Sequence, residues 1–343
     1  MLDVAVLLLN DNLASTALGP IEVFHSAGRL WNNLSGQAPE PRFRVTPVTM
    51  DGQAVHSPYG VALSATTAMT EIAHTDIVVV PASGLDLDAQ LKRHAAILPW
   101  LREWHRKGAH IAGICSGAAY LAAAGLLDGR DATTHWAVAE ACAARYPQAR
   151  WRPDMVITED DRVLCSGGVY AAIDLSLYLV EKFCGHEIAV QCAKSLLVDM
   201  PRTQQSGYAI LPVSKPHSDE PIRAAEEHMR SDFARELPID LLARRVNMSP
   251  RTFIRRFKAA TGLLPGHYLQ VLRVNVAKAM LEEGASPVQT ISSAVGYDDV
   301  AFFRKVFKRL TGTTPVEYRR KFGGAKSVHA DPESRRTRMA SVG

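Results

Sequence analysis

Along the first two hundred residues, short apolar runs alternate with stretches whose apolar positions recur at helical spacing. "VAVLLL" (4–9), "FRVTPVTM" (43–50), "DIVVVP" (76–81) and "HIAGIC" (110–115) have strand length. Between the last two lies "LDAQLKRHAAILPWLREWHRKG", where Leu91, Ile97, Leu98 and Leu101 fall on one helical face. Strand–helix–strand alternation predicts a doubly wound α/β sheet, mostly parallel, with helices on both faces. Ligands of such sheets bind beyond the carboxyl ends of the strands. "MVITEDDRVLCSGG" (155–168) predicts a hairpin turning at Glu159–Asp161, and helices over 169–184 and 186–199 follow. The stretch 201–219 has three prolines and little periodicity, which marks a linker. Everything after it reads as helix.

That helical part repeats itself. "PIDLLARRVNMS" (238–249) aligns with "PVQTISSAVGYD" (287–298) at an offset of 49, and "FIRRFKAATGLLPGHY" (253–268) with "FRKVFKRLTGTTPVEY" (303–318) at an offset of 50. Each copy is a short helix, a tight turn and a second helix. In the first, Ser249 is the N-cap, Pro250 takes the first helical position and Thr252 follows in the first turn. Phe253 and Phe257 form an inward stripe, and Arg251, Arg255 and Lys258 lie opposite. In the second, Phe303, Phe307 and Leu310 face inward. Val300 and Ala301 begin the helix, and Ala301, Arg304, Lys305 and Lys308 face out. One such face reads equally well as a solvated basic surface or as a helix for the major groove of double-stranded DNA. The same face built twice favours DNA. The expected architecture is therefore an α/β domain followed by an all-α domain with two helix-turn-helix motifs.

Charge sharpens this picture. The chain carries a net +4, but residues 1–218 hold 17 Lys/Arg against 21 Asp/Glu, while 219–322 hold 18 against 12. A basic module behind an acidic one fits a nucleic-acid-binding end on a partner domain. No apolar run is long enough to span a bilayer, and "MLDVAVLLLN" lacks the basic start of a signal peptide. The five cysteines contain no CxxC pair, and the histidines show no metal-ligand spacing. Reduced thiols, a cytoplasmic location, no metal and no cofactor are expected. The tail 323–343 is expected to be disordered.

Residues 221–322 resemble the AraC-type DNA-binding domain. Ala243, Ser249, Phe253, Arg255, Phe257, Lys258, Gly262, Pro265 and Tyr268 match its first half. Ile291, Ala294, Gly296, Tyr297, Phe302, Phe303, Phe307, Lys308, Gly312, Pro315, Tyr318 and Arg319 match its second. The resemblance implies recognition helices at about 249–261 and 298–310, joined by a long helix within 266–283. In this family they enter successive major grooves, ~34 Å apart. At the start of the second, Val300 and Ala301 can touch thymine methyls but cannot hydrogen-bond a base edge.

The first part resembles the PfpI-like branch of the class I glutamine-amidotransferase-like superfamily, and more narrowly the sensor domain of GlxA-type regulators. "LGPIEVF" (18–24), "VVVPASG" (78–84), "AGICSGAAYLAAAGLLDGRDATTHW" (112–136) and "SGGVYAAIDLSLYLV" (166–180) carry it. It implies a flavodoxin-like sheet with Cys115 at a nucleophile elbow. Glu22 matches an acidic residue placed beside the thiol, and His135 a histidine near it. Ser83 and Gly84 match a loop whose N–H groups can form an anion hole with those after Cys115. The turn between strand end and helix start favours a thiolate. Ser116 follows the cysteine, where protease-like members carry histidine.

The expected organisation is a sensing domain (1–200), a linker (201–219) and a DNA-binding domain (220–322). Its small-molecule pocket would be formed by Glu22, Ser83, Gly84, Cys115, Ser116 and His135. The alternative is a cysteine-dependent hydrolase or hydratase of small nitrogen compounds, with Cys115, Glu22 and His135 as its catalytic set. A redox-sensing thiol and an inert core cysteine are further readings of Cys115. Expected partners are DNA, a small-molecule effector, a second copy of the chain and, for an activator, RNA polymerase.

Overall fold

Val, Ile and Leu crowd the strands because a sheet between two helical layers is buried on both faces. In the computed structural model, which describes residues 1–65, 67–84, 86–208, 217–284 and 286–323, the strands fall in chain order as follows. They are β1 (Leu2–Leu7), β2 (Phe43–Thr49), β3 (Val55–His56), β4 (Ala62–Leu63), β5 (Thr67–Ala68), β6 (Ile77–Val80), β7 (His110–Ile114), β8 (Asp131–Ala132), β9 (Arg150–Trp151), β10 (Ile157–Asp160) and β11 (Val163–Ser166). Seven of them form one sheet in the order β10-β11-β7-β6-β1-β2-β5. Every pairing in it is parallel except β10–β11.

Side chains alternate across this sheet and feed two cores. Val4, Val6, Ile77 and Val79 pack with Val23, Phe24, Leu175 and Leu179. Ala5, Leu7, Val78 and Val80 pack with Leu101, Trp104, Tyr120 and Leu121 on the other face. The hairpin turns at Asp161 and Arg162 (φ 45° and 62°), later than the expected Glu159–Asp161. Two consecutive residues with positive φ make the tight two-residue turn whose twist matches antiparallel strands.

The helical stretch between β6 and β7 is two helices, Leu87–Arg93 and Ile97–Arg106. Pro99 explains the break: its ring collides with the carbonyl four residues back in a continuous helix, but is tolerated within the first turn. The first compact unit ends at Gln205. Residues 201–205 therefore belong to the α/β unit rather than to a free linker. Residues 209–216 of the expected linker, and 324–343 of the expected tail, lie outside the described residues.

The second unit holds helices Glu220–Ser231, Ile239–Arg245, Pro250–Thr261, Pro265–Glu283, Val288–Ala294, Val300–Thr311 and Pro315–Phe322. Two cores divide it, one around Phe253, Phe257 and Tyr268, the other around Phe303, Phe307 and Tyr318. The repeat persists in detail. Thr261 and Thr311 each hydrogen-bond the carbonyl four residues back, at 2.7 and 2.8 Å. Gly262 and Gly312 close their helices at φ 80° and 77°. The turn before each outer helix needs a left-handed residue, supplied by Asn247 (φ 54°) in one copy and Gly296 (φ 84°) in the other. Asparagine tolerates that region better than other residues bearing a Cβ.

Candidate effector elbow and nucleic-acid interface

β7 ends at Ile114, and the chain reverses into helix Gly117–Ala123 through Cys115 at φ 55°. A left-handed non-glycine residue between strand and helix is the strained elbow of this fold class. The surrounding residues fix it. The Cys115 N–H donates to the Ser166 carbonyl (2.9 Å), and the Thr134 hydroxyl donates to the Cys115 carbonyl (2.7 Å).

The thiol does not have the expected character. Burial pushes it up to about 11, and hydrogen bonds from the backbone N–H groups of Ser116 and His135 pull it only partly back. Desolvation outweighs a two-turn helix. Because the free thiol titrates near 9.0, the neutral buried form contributes stability that is complete below pH 9 and fades as pH rises toward 11. Alkylation of Cys115 by iodoacetamide is accordingly expected to be slow at pH 7. It should rise about tenfold per pH unit up to the folded titration point, because only the thiolate reacts. Rapid labelling that is flat between pH 6 and 8 would show an activated thiolate instead.

The expected neighbours of the thiol have these surroundings. Glu22 is exposed on helix Ser15–Ser26, whose inward face carries Thr16, Ala17, Pro20, Val23 and Phe24. Among the described residues, Glu22 makes no hydrogen bond or ion pair to the elbow. The Ser83 N–H donates to Ser116 Oγ (3.1 Å) and the Gly84 N–H to the Asp11 carbonyl (3.1 Å). Neither is left for an anion hole. Ser116 Oγ in turn donates to the Ser83 carbonyl (2.9 Å). His135 is half-buried, and burial lowers its pKa, favouring the neutral ring. Its Nδ1 accepts the Ala137 N–H (3.1 Å), which leaves the proton on Nε2. Phe24 packs in the core against Phe43, Tyr170 is exposed, and Trp136 lies beside the His135 ring.

Sequence reading missed the buried chain behind the elbow, in which Ser83 Oγ meets the Tyr120 hydroxyl and that hydroxyl meets His94 Nδ1 at 3.0 Å. It also missed Thr134. No spacing signals such contacts, whereas the 49-residue offset between Asn247 and Gly296 is visible in the repeat.

In the second unit the outer helices present what the repeat implied. Ser249 caps the first, its hydroxyl accepting the Thr252 N–H (3.3 Å), and Arg251, Arg255 and Lys258 are exposed. Arg256 is half-buried and engaged by Asp219 through Nε and Nη2 (3.0 and 2.8 Å), which sets it apart from the exposed cations of this face. Asp299 caps the second, accepting from Ala301 and Phe302 N–H (2.7 and 3.2 Å). Ala301, Arg304, Lys305 and Lys308 are exposed and Val300 is half-buried. Val306, rather than Leu310, completes the fully buried stripe with Phe303 and Phe307.

A doubly wound sheet joined to a doubled helix-turn-helix defines a DNA-binding transcription regulator. The DJ-1/PfpI family model matches residues 4–182, and a helix-turn-helix domain model matches residues 242–321. The chain is 30% identical over 300 residues to the HTH-type transcriptional regulator GlxA of Rhizobium meliloti (strain 1021), covering 86% of this chain and 90% of that relative. It is 26% identical to the HTH-type transcriptional regulator CdhR of Pseudomonas aeruginosa, covering 81% and 82%. A crystal structure from Vibrio parahaemolyticus superposes with TM-score 0.50 at 22% identity, covering 57% of this chain and 98% of that one, and shows the α/β fold. This chain belongs to the DJ-1/PfpI family and, within it, to the HTH-type transcriptional regulators resembling GlxA. It is a regulator rather than an enzyme. No described helix is long and apolar enough to cross a membrane.

Proposed function

We propose that this regulator binds two successive major grooves through helices Pro250–Thr261 and Val300–Thr311, and that a small-molecule effector acts at the Cys115 elbow. The carrying observation is the repeated, capped outer helix with its exposed cationic face. Arg251 and Arg255 read base edges, while Ser249, Thr252, Lys258, Arg304, Lys305 and Lys308 hold phosphates. Val300 and Ala301 contribute only apolar contact. A homodimer places two such modules on one operator, and an activator would additionally touch RNA polymerase.

Arg255→Ala is expected to weaken a site selected from random duplexes by about 1–3 kcal/mol more than it weakens generic DNA. Equal losses on both would reduce Arg255 to a phosphate contact. At the elbow, a neutral thiol and the His135 Nε2–H are the groups left for a ligand; Ser83, Gly84 and Ser116 form the wall behind them. A metabolite screen by thermal shift finds the effector, because a ligand of the native state raises the melting temperature. Cys115→Ser is expected to keep the response to that effector, since serine retains size and hydrogen bonding. If the effector emerges chemically altered by the native protein and intact from the serine variant, the elbow is catalytic.

A further inference from the structure

The chain does not simply leave the α/β unit; its last residues are fastened beside the elbow. Asp174, 5% exposed, accepts the Arg202 N–H (2.8 Å) and both carboxylate oxygens meet the Arg202 Nε at 3.1 Å. The Thr203 carbonyl accepts the Val156 N–H (3.1 Å), and Gln204 bridges to Met155. Gln205 then turns fully inward, 4% exposed. Its N–H donates to the Asp154 carbonyl (2.9 Å). Its side-chain amide donates to the carbonyls of Thr134 (2.8 Å) and Met155 (3.0 Å) and approaches Thr133 Oγ1 at 3.3 Å. Gly167 makes room for it: a Cβ there would lie 2.6 Å from Gln205 Oε1.

Thr134 joins this seat to the elbow. Its carbonyl takes the Gln205 amide and its hydroxyl holds the Cys115 carbonyl at 2.7 Å. Packing alone does not call for a glutamine; an apolar side chain of equal volume fills such a space without burying an amide. Here the amide is satisfied only while Thr134 and Met155 keep their carbonyls in place. Any occupant of the elbow that displaces the 133–135 segment strips a partner from a buried donor, which ties the two sites energetically.

We propose that Gln205 is a positioning residue that couples the elbow to the chain entering the DNA-binding unit, which begins at Ser206. Seated, it fixes the exit of the chain. Released, it loosens residues 203–205, and the coupling runs equally in both directions. The proposal rests on the elbow being the effector site.

The test uses the full chain, with iodoacetamide as the probe of Cys115 and site-resolved mass spectrometry as the readout. Gln205→Met keeps the volume and removes the donor; Arg202→Ala loosens the segment without touching Thr134. Both are expected to raise the Cys115 labelling rate by about fivefold or more, measured well below each variant's melting temperature, which Arg202→Ala lowers the more because it leaves the buried Asp174 carboxylate without its cation. In the reverse direction, carboxamidomethylation of Cys115 is expected to accelerate amide exchange at Val156 and Gln205 in the native protein. The same treatment leaves the already released Gln205→Met variant unchanged. Labelling of Cys115 at the native rate in both variants, while exchange shows residues 203–205 released, overturns the coupling. Failure of the effector reading looks different: the coupling persists, but an effector found by thermal shift leaves Cys115 labelling unaffected.

Discussion

Gly117→Ala is expected to destabilise the α/β unit by about 3–5 kcal/mol, among the largest effects of any single methyl group in the chain. A Cβ at Gly117 would lie 2.4 Å from the Val80 carbonyl oxygen and 2.9 Å from that of Pro81. Both are backbone atoms at the end of β6, a central strand with all four residues buried. No flexible side chain can swing aside, so either the elbow or the strand must move. The elbow already holds Cys115 in the left-handed region, and β6 is hydrogen-bonded on both edges. Native stability is only about 5–15 kcal/mol, so the loss takes a large share. The measurement is direct, because all five tryptophans, at 31, 100, 104, 136 and 151, lie in this unit. Their fluorescence melt reports it alone. Gly19→Ala is the control: its Cβ meets only Ile173 Cγ1 at an ordinary 3.5 Å within a helix, where alanine is favoured by about 1 kcal/mol. A Gly117→Ala melt within about 2 °C of the native protein would show that the elbow yields.

What the sequence made legible is what depends on period and local chemistry. Apolar runs of strand length located β1, β2, β6 and β7, and the 49- and 50-residue offsets located both helix-turn-helix motifs down to the cap at Ser249. The elbow was legible for the same reason, since β7 ending at Ile114 and the helix starting at Gly117 leave only Cys115 and Ser116 between them to make the turn. The chemistry at the elbow was not. Whether Gly84 can donate to a ligand depends on the Asp11 carbonyl, seventy-three residues away in the chain, having taken its N–H first. Whether Glu22 faces a thiol depends on how helix Ser15–Ser26 rotates onto the sheet, and the side chains that win the inward face are Thr16, Val23 and Phe24. The thiol itself is governed by burial, which no local pattern around Cys115 records. The linker boundary failed likewise: "PRTQQ" is polar and aperiodic, yet its arginine and last glutamine are held by Asp174, Thr134 and Met155.

The two halves of the DNA-binding unit are built alike but are expected to fail differently. Phe307→Ala removes a fully buried ring that packs against Phe303 at 5.8 Å and edge-on against Tyr318 at 5.5 Å. Phe257 holds the same position in the first half, 5.4 Å from Phe253 and 5.1 Å from Tyr268. Either substitution is expected to cost about 3–5 kcal/mol, since the cavity cannot collapse between helices that meet through these rings. Each half has its own aromatic core, so amide exchange is expected to accelerate in the half that is cut and much less in the other. The consequence for DNA follows from the outward faces. The first half exposes Arg251 and Arg255, the proposed readers of base edges, whereas the second opens with Val300 and Ala301 and carries its charge on Arg304, Lys305 and Lys308. Phe257→Ala is therefore expected to cost selectivity, bringing a selected site and generic duplex close together. Phe307→Ala is expected to cost affinity on both by a similar factor, and to lower the salt slope by about 0.9 for each phosphate no longer neutralised. Binding titrations of both variants on a selected and a generic duplex, at two salt concentrations, decide it. If Phe307→Ala unfolds its half yet leaves affinity and salt slope at native values, the second helix does not touch DNA, and the two-groove reading falls with it.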